Sequence, residues 1–75
     1  MEMTLDRLKV GCAAVITKID TDESLENRLR CFGMVPGTQI YCRYRSPGGS
    51  VIALECRGSV IALRTRDMGK IWGCC

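Results

Sequence analysis

Residues Val51–Leu63, VIALECRGSVIAL, decide the fold, because they carry one apolar pattern on both sides of a turn. The tetrapeptide VIAL at 51–54 recurs at 60–63, and its β-branched residues favour strands. Gly58 followed by Ser59 suits the central positions of a two-residue type II′ turn. The sequence therefore predicts a β-hairpin rather than a duplicated module.

The turn position also predicts the register of this hairpin. A two-residue turn at Gly58 pairs Cys56 with Ile61 and keeps the apolar residues of both strands on one face. On the other face it brings Glu55 near Arg64 as a diagonal pair. One face of the hairpin is therefore expected to cover a core.

Another predicted strand and a loop precede the hairpin in the sequence. Residues 38–45 alternate, so that Ile40, Cys42 and Tyr44 are expected to share one face. The glycine-rich stretch 46–50 then indicates a loop.

An amphipathic helix is predicted further upstream, over about residues 23–32. Leu25, Leu29 and Phe32 follow helical spacing and should form one apolar face. Gly33 is well placed to end the helix in the left-handed conformation. We expect this face to lie against the sheet.

The remaining elements are short. Strands are predicted over residues 12–19 and 71–73. Short helical turns are predicted over residues 4–8 and 66–70. The chain is therefore expected to be one mainly β domain over 1–75. About five short strands should close into a small barrel, with the helix on one side, because closure removes exposed strand edges.

Composition restricts the classes of function. The 75 residues carry a net charge of +3 without a basic cluster, which does not favour nucleic acid binding. No apolar run approaches the roughly 18 residues that span a membrane, and the start does not resemble a secretory signal. We expect a cytoplasmic protein that does not insert into membranes.

Six cysteines and no histidine require an interpretation. No paired spacing typical of zinc sites is present. Four cysteines lie inside apolar patterns and are expected to fill the core, whereas two adjacent cysteines at the tail should be exposed. The first group is Cys12, Cys31, Cys42 and Cys56, and the second is Cys74 and Cys75. Cys74 and Cys75 are therefore weak candidate ligands of a metal, and a cysteine-based metal or redox sensor is the alternative function.

Enzymatic activity is not expected from this sequence. An enzyme needs converging acid, base, nucleophilic or metal-binding groups. The chain has no histidine to activate a cysteine nucleophile, and no glycine-rich phosphate-binding motif occurs. We therefore expect a binding module.

The segment Leu29–Gly37, LRCFGMVPG, is the most informative candidate site. It combines a helix end, a left-handed glycine, two apolar residues and a tight turn. Two interpretations are open: the apolar residues plug the mouth of the barrel, or they protrude and dock a partner. The candidate partner-binding residues are Arg28, Arg30, Met34, Val35, Pro36 and Gly37.

The same segment resembles the signature L-G-[LM]-x-P-G of the ferrous iron transport protein A family (FeoA-like), through Phe32–Gly37, FGMVPG. Further similarities follow in order along the chain. Thr4–Gly11 is similar to the opening L-x-x-L-x-x-G turn of the family, Ser46–Gly49 to its A-P-x-G loop, and Gly58–Ile71 to its ending. The resemblance covers nearly the whole chain.

The resemblance implies an SH3-like small β-barrel in the cytoplasm without catalytic residues. The implied role is accessory or regulatory, in ferrous iron uptake. The expected partner is a membrane ferrous iron transporter with a cytosolic G-protein-like domain. No cofactor is implied, while iron or another transition metal stays open as a ligand. The same domain also occurs fused to iron-dependent repressors, but this chain has no room for their DNA-binding part.

Overall fold

The computed structural model describes residues 1–75 and contains six strands, two α-helices and one 3-10 helix. In chain order these are β1 (Glu2–Thr4), the 3-10 helix (Leu5–Arg7), β2 (Ala13–Ile19), α1 (Glu23–Cys31), β3 (Gln39–Arg45), β4 (Val51–Cys56), β5 (Ser59–Arg64), α2 (Thr65–Met68) and β6 (Ile71–Cys74). The predicted mainly β fold with one amphipathic helix is confirmed. No helix has the length and apolar character needed to cross a membrane.

All strands belong to one antiparallel sheet in the order β1-β6-β2-β3-β4-β5. Two expectations are corrected here. The sheet has six strands instead of about five, and its hydrogen-bonded ladder is not closed, since β1 and β5 are its edges. Helix α2 contacts the edge strand β5, the strand β6 that lies next to the other edge, and the 3-10 helix, so it packs across the gap between the two sides of the sheet. Packing of side chains between β1 and β5 thus takes the place of the backbone hydrogen bonds that would close a barrel.

One apolar core lies against one face of this sheet. Its residues come from every strand except β1, and from all three helical segments. The cluster consists of Leu5, Leu8, Ala14, Ile16, Leu29, Met34, Ile40, Cys42, Ile52, Leu54, Cys56, Ile61, Leu63, Met68 and Ile71.

The β4–β5 hairpin forms, but its turn differs from the expectation. Cys56 lies opposite Ser59, so Arg57 and Gly58 are the central residues. Their φ angles are +52° and +84°, and two positive values define a type I′ turn. The register therefore differs by two residues, with Ile61 opposite Leu54 instead of Cys56. The apolar face is unchanged, because side chains alternate with a period of two.

A bulge in β3 corrects the expected face of that strand. Cys42 lies opposite Leu54, but Tyr44 lies opposite Ala53, so the intervening residue has no partner. Such an extra residue inverts the alternation beyond it. Tyr44 is consequently 53% exposed rather than buried.

After the bulge, the Arg45 side chain turns towards the 3-10 helix. Its Nη1 donates to the Leu8 carbonyl at 2.6 Å and its Nη2 donates to the Asp6 carbonyl at 2.7 Å. Hydrogen bonds from a charged donor are stronger than neutral ones. Arg45 therefore fixes the 3-10 helix to the sheet. Glu55 accepts from Arg43 at 2.6 Å, so the expected pair with Arg64 is absent.

The apolar face of α1 is shorter than predicted. Leu29 is fully buried and Leu25 packs against the core, but Phe32 is 44% exposed. The helix ends at Cys31, and Phe32 is its C-cap with φ −93° and ψ 0°. Phe32 therefore lies at the end of the element, where helical spacing does not ensure burial.

Candidate functional site

The C-terminal end of α1 is closed by a Schellman motif. The Met34 N–H donates to the Leu29 carbonyl at 2.9 Å, and the Gly33 N–H donates to the Arg30 carbonyl at 3.0 Å. Gly33 has φ +82°, as the left-handed position of this motif requires. The motif is usually accompanied by an apolar contact between the residues in the places of Leu29 and Met34. Both are fully buried.

The bend that follows is held by two hydrogen bonds to β2 and one to the end of α1. The Gly37 N–H donates to the Ile16 carbonyl at 2.7 Å, and the Ile16 N–H donates to the Thr38 carbonyl at 2.9 Å. The hydroxyl of Thr38, a buried polar residue, donates to the Gly33 carbonyl at 3.0 Å. Bonds of this kind hold both ends of the bend, so it presents a defined shape.

The burial of Met34 corrects the sequence interpretation of this bend. Its side chain has no exposed surface, because the Schellman motif turns it into the core. The plug interpretation is therefore right for Met34, which cannot contact a partner in this conformation. Val35 is partly buried, and Pro36 and Gly37 are exposed.

The remaining candidates lie together in sequence at the end of α1 and in the bend. We call Arg28, Arg30, Val35, Pro36 and Gly37 the helix-end surface. Both arginines are exposed. Arg30 bonds to Glu26 at 3.4 Å and to Asn27 at 3.1 Å, whereas Arg28 forms no ion pair. The guanidinium group of Arg28 is therefore available to pair with an acidic group of a partner.

A third cation beside the helix end was not identified from the sequence. A Cβ on Gly33 would lie 3.2 Å from Cδ of Arg57, so the hairpin tip touches the end of α1. Arg57 is exposed and is the one non-glycine residue with positive φ. Arg57 lies more than 20 residues along the chain from Gly33, so no local pattern could have revealed this contact.

Another pair of arginines lies elsewhere on the molecule. Arg64 and Arg66 line an open groove with Ser50 and Val51, and neither arginine forms an ion pair. They are exposed, as are Arg28 and Arg30. This pair supplies a control of equal charge for experiments on the helix-end surface.

The cysteines divide differently from the sequence expectation. Cys42 and Cys56 are buried as predicted, and Cys74 and Cys75 are exposed as predicted, but Cys12 and Cys31 are exposed as well. Cys12 precedes the first residue of β2 and Cys31 is the last residue of α1. Both stand at element ends, where an apolar sequence pattern does not ensure burial.

Burial changes the acidity of the two core thiols. It raises the pKa of Cys42 and the pKa of Cys56 from the usual value of 9.0, because an ionised sulfur would lose its hydration. Neighbouring Arg45 and Arg57, respectively, oppose this effect only in part. These thiols are therefore poor nucleophiles and poor metal ligands at neutral pH.

No three His, Cys, Asp or Glu residues lie close enough together to hold a metal ion. The weak candidates Cys74 and Cys75 accordingly have no third residue of these types beside them. Cys75 does have a sulfur neighbour of another type, since its Sγ lies 3.5 Å from Sδ of Met3.

Comparison with known protein families gives one match. The family model described as FeoA domain matches residues 3–73. No curated protein matches the sequence.

Three solved structures illustrate the likeness. The FeoA protein from Chlorobium tepidum has 26% identity and a TM-score of 0.90, over 96% of this chain and 70% of that one. Iron(II) transport protein A from Clostridium thermocellum has 30% identity and a TM-score of 0.87, over 96% of this chain and 45% of that one.

The third structure is FeoA from Stenotrophomonas maltophilia, complexed with zinc and described as a prokaryotic SH3 domain protein. It has 26% identity and a TM-score of 0.77, over 92% of this chain and 86% of that one. The expected SH3-like fold is confirmed by this likeness.

Proposed function

The chain belongs to the FeoA domain family, and we propose that it is a small accessory and regulatory protein of ferrous iron uptake. In this proposal it binds the cytosolic part of a membrane ferrous iron transporter, and acts in the cytoplasm by binding alone, without catalysis. The observation that carries the proposal is the family match over residues 3–73, since the family is associated with ferrous iron transport.

The helix-end surface is the part of the molecule that best suits such binding. Its bend is held at both ends by backbone hydrogen bonds to β2 and α1, so little conformational entropy is lost when a partner binds. Pro36 and Gly37 offer exposed backbone and apolar surface. Arg28 and Arg30 supply positive charge in the last turn of α1, and Arg57 lies beside Gly33.

The charge of this surface indicates the chemistry of the partner. Arginine guanidinium groups pair with carboxylates in a planar, two-bond geometry. We therefore expect an acidic patch on the cytosolic G-protein-like domain of the transporter. A chain with 4549 Å² of total surface can offer only a small interface, so the complex should be weak and sensitive to salt.

The test measures binding of the purified full chain to the cytosolic domain of the transporter. The variant Arg28→Glu/Arg30→Glu reverses two charges on the helix-end surface, and Arg64→Glu/Arg66→Glu makes the same change elsewhere. We expect the first variant to lose at least about tenfold in affinity, because arginine is enriched among the few interface residues that dominate binding, and glutamate would repel an acidic partner. The second should bind like the wild type.

Two results would contradict different parts of the proposal. Equal loss in both variants would mean that net charge rather than the helix-end surface governs binding. No binding of the wild-type chain, with or without guanine nucleotide on the domain, would remove the transporter as the partner. Far-UV circular dichroism of each variant checks that the fold is kept.

A further inference from the structure

A second surface feature is a groove at the end of β1 and β2, with a volume of about 400 Å³. Three of its six side chains carry sulfur, and none is a carboxylate. The lining residues are Met3, Leu8, Lys9, Cys12, Ala13 and Cys75. Sulfur is rare at protein surfaces, so three sulfur side chains on one groove need a physical explanation.

The sheet register brings two of these sulfurs into contact. Strand β6 lies between β1 and β2, with Gly73 opposite Met3 and Cys74 opposite Val15. Cys75 follows β6 directly, and its N–H donates to the Met1 carbonyl at 3.2 Å, which places it beside β1. The distance from Cys75 Sγ to Met3 Sδ is 3.5 Å.

The third sulfur is positioned by a tight turn and a bulge before β2. The Cys12 N–H donates to the Lys9 carbonyl at 3.0 Å, and Gly11 has φ +87°. Gly11 donates to the Cys42 carbonyl at 2.8 Å, and the Cys42 N–H donates to the Cys12 carbonyl at 2.9 Å. Gly11 and Cys12 thus lie opposite the single residue Cys42. Because the first of the two is a left-handed glycine, this arrangement is a G1 bulge. These bonds hold the backbone of Cys12 in place, and its exposed side chain lines the groove.

We propose that Met3, Cys12 and Cys75 form a binding site for a soft monovalent cation of the Cu(I) class. Thiolate and thioether ligands select soft ions, whereas carboxylates and carbonyls suit Mg²⁺, Ca²⁺ and Mn²⁺. A structural zinc site almost always has four nitrogen or sulfur ligands, and this groove has two thiols and one thioether. The site is separate from the helix-end surface and does not depend on the proposed role in iron uptake.

Charge and proton balance are consistent with this ligand set. Binding replaces the thiol protons of Cys12 and Cys75, which pass to the solvent, and no electron is transferred. The cation with two thiolates has one negative charge, and the Lys9 ammonium on the same groove compensates for it. The thioether of Met3 adds a neutral ligand that already lies in contact with Cys75.

The test titrates the reduced full chain with Cu(I) under anaerobic conditions, against a chromophoric chelator of known affinity. One ion per chain and the release of about two protons per ion are expected. Cys12→Ser and Cys75→Ser should each lose at least about tenfold in affinity. Mutation of residues that only hydrogen-bond to metal ligands already lowers metal affinity about 10- to 100-fold, and these two residues are ligands themselves. Met3→Leu should lose less, because a thioether contributes no charge.

Two control variants separate this site from general thiol binding. Cys31→Ser removes an exposed thiol on α1, and Cys74→Ser removes the neighbouring exposed thiol, which does not line the groove. Both should bind Cu(I) like the wild type. The proposal fails if either control loses as much affinity as Cys75→Ser, if Cys12→Ser binds unchanged, or if Zn²⁺ displaces Cu(I) at equal concentration. Retained circular dichroism of every variant excludes loss of fold as the cause.

Discussion

Met34 is the side chain that joins the end of α1 to the core. It is fully buried and pairs with Leu29 across the Schellman motif. We expect Met34→Ala to lower the free energy of unfolding by about 2–5 kcal/mol, because it leaves a cavity among close-packed side chains. Urea unfolding followed by circular dichroism measures this change.

The neighbouring residue provides the control for this prediction. Val35 is only partly buried, so Val35→Ala should cost clearly less than Met34→Ala. Similar losses in both variants would indicate that the bend, rather than the Leu29–Met34 contact, carries the stability. A charged residue at Met34 is unsuitable for testing partner binding, since it would disrupt the fold.

Residue-level prediction succeeded where a conformation has a strong chemical preference. Gly33 was predicted as the left-handed terminator from the absence of a side chain, and the structure confirms it. The faces of Phe32 and Tyr44 were wrong, because each lies just beyond a break in periodicity, at a helix cap and at a bulge. Tertiary packing decides where such breaks occur.

At the scale of single elements, the turn between β4 and β5 is a backbone feature that can be tested alone. Gly58 has φ +84°, and a Cβ there would meet no atom within 4 Å. Gly58→Ala should therefore destabilise the protein by about 1–2 kcal/mol through left-handed strain and not through a clash. Thermal or urea unfolding measures the loss.

Gly69 supplies a matched control with the opposite expectation. Its φ is −68°, and the nearest atom to an added Cβ, the Arg66 carbonyl oxygen, lies at an ordinary 3.5 Å. Gly69→Ala should be neutral or stabilising by up to about 1 kcal/mol, since alanine restricts the unfolded chain. Unchanged stability of Gly58→Ala would contradict the assignment of a type I′ turn, and destabilisation by Gly69→Ala would contradict the expectation at Gly69.

Strong periodicity predicted the existence of most elements, but not their register or their number. A shift of two residues in the hairpin leaves every side chain on its original face, so the apolar pattern cannot distinguish the two registers. Strand β1 has three residues, too few to show alternation, and was missed. The ladder is open because the edge strand β1 pairs with β6 and does not pair with the other edge strand, β5.

Across the whole molecule, the candidate site was only partly accessible to sequence reasoning. The segment from Arg28 to Gly37 is continuous, so its chemistry could be identified from local residues. The contact of Arg57 with Gly33 and that of Cys75 with Met3 join distant parts of the chain. Both depend on strand order, which local patterns do not determine.

The buried thiols make stability depend on pH for the molecule as a whole. Burial raises the pKa values of Cys42 and Cys56 above 9.0, whereas in the unfolded chain both thiols return to the ordinary value. Above that value the unfolded state loses thiol protons that the folded state retains, so the unfolded state is favoured. Stability from this source is complete at neutral pH and falls as the pH rises from about 9 through the folded pKa values.

Urea unfolding of the reduced protein at pH 7 and at pH 10 measures this alkaline loss. Cys42→Ala and Cys56→Ala lower stability at both pH values by creating cavities, but the difference between the two pH values should shrink in each. Cys31→Ala, which removes an exposed thiol, should keep the wild-type difference. An unchanged difference in the double variant Cys42→Ala/Cys56→Ala would assign the alkaline loss to other groups, because no buried thiol would then remain to ionise.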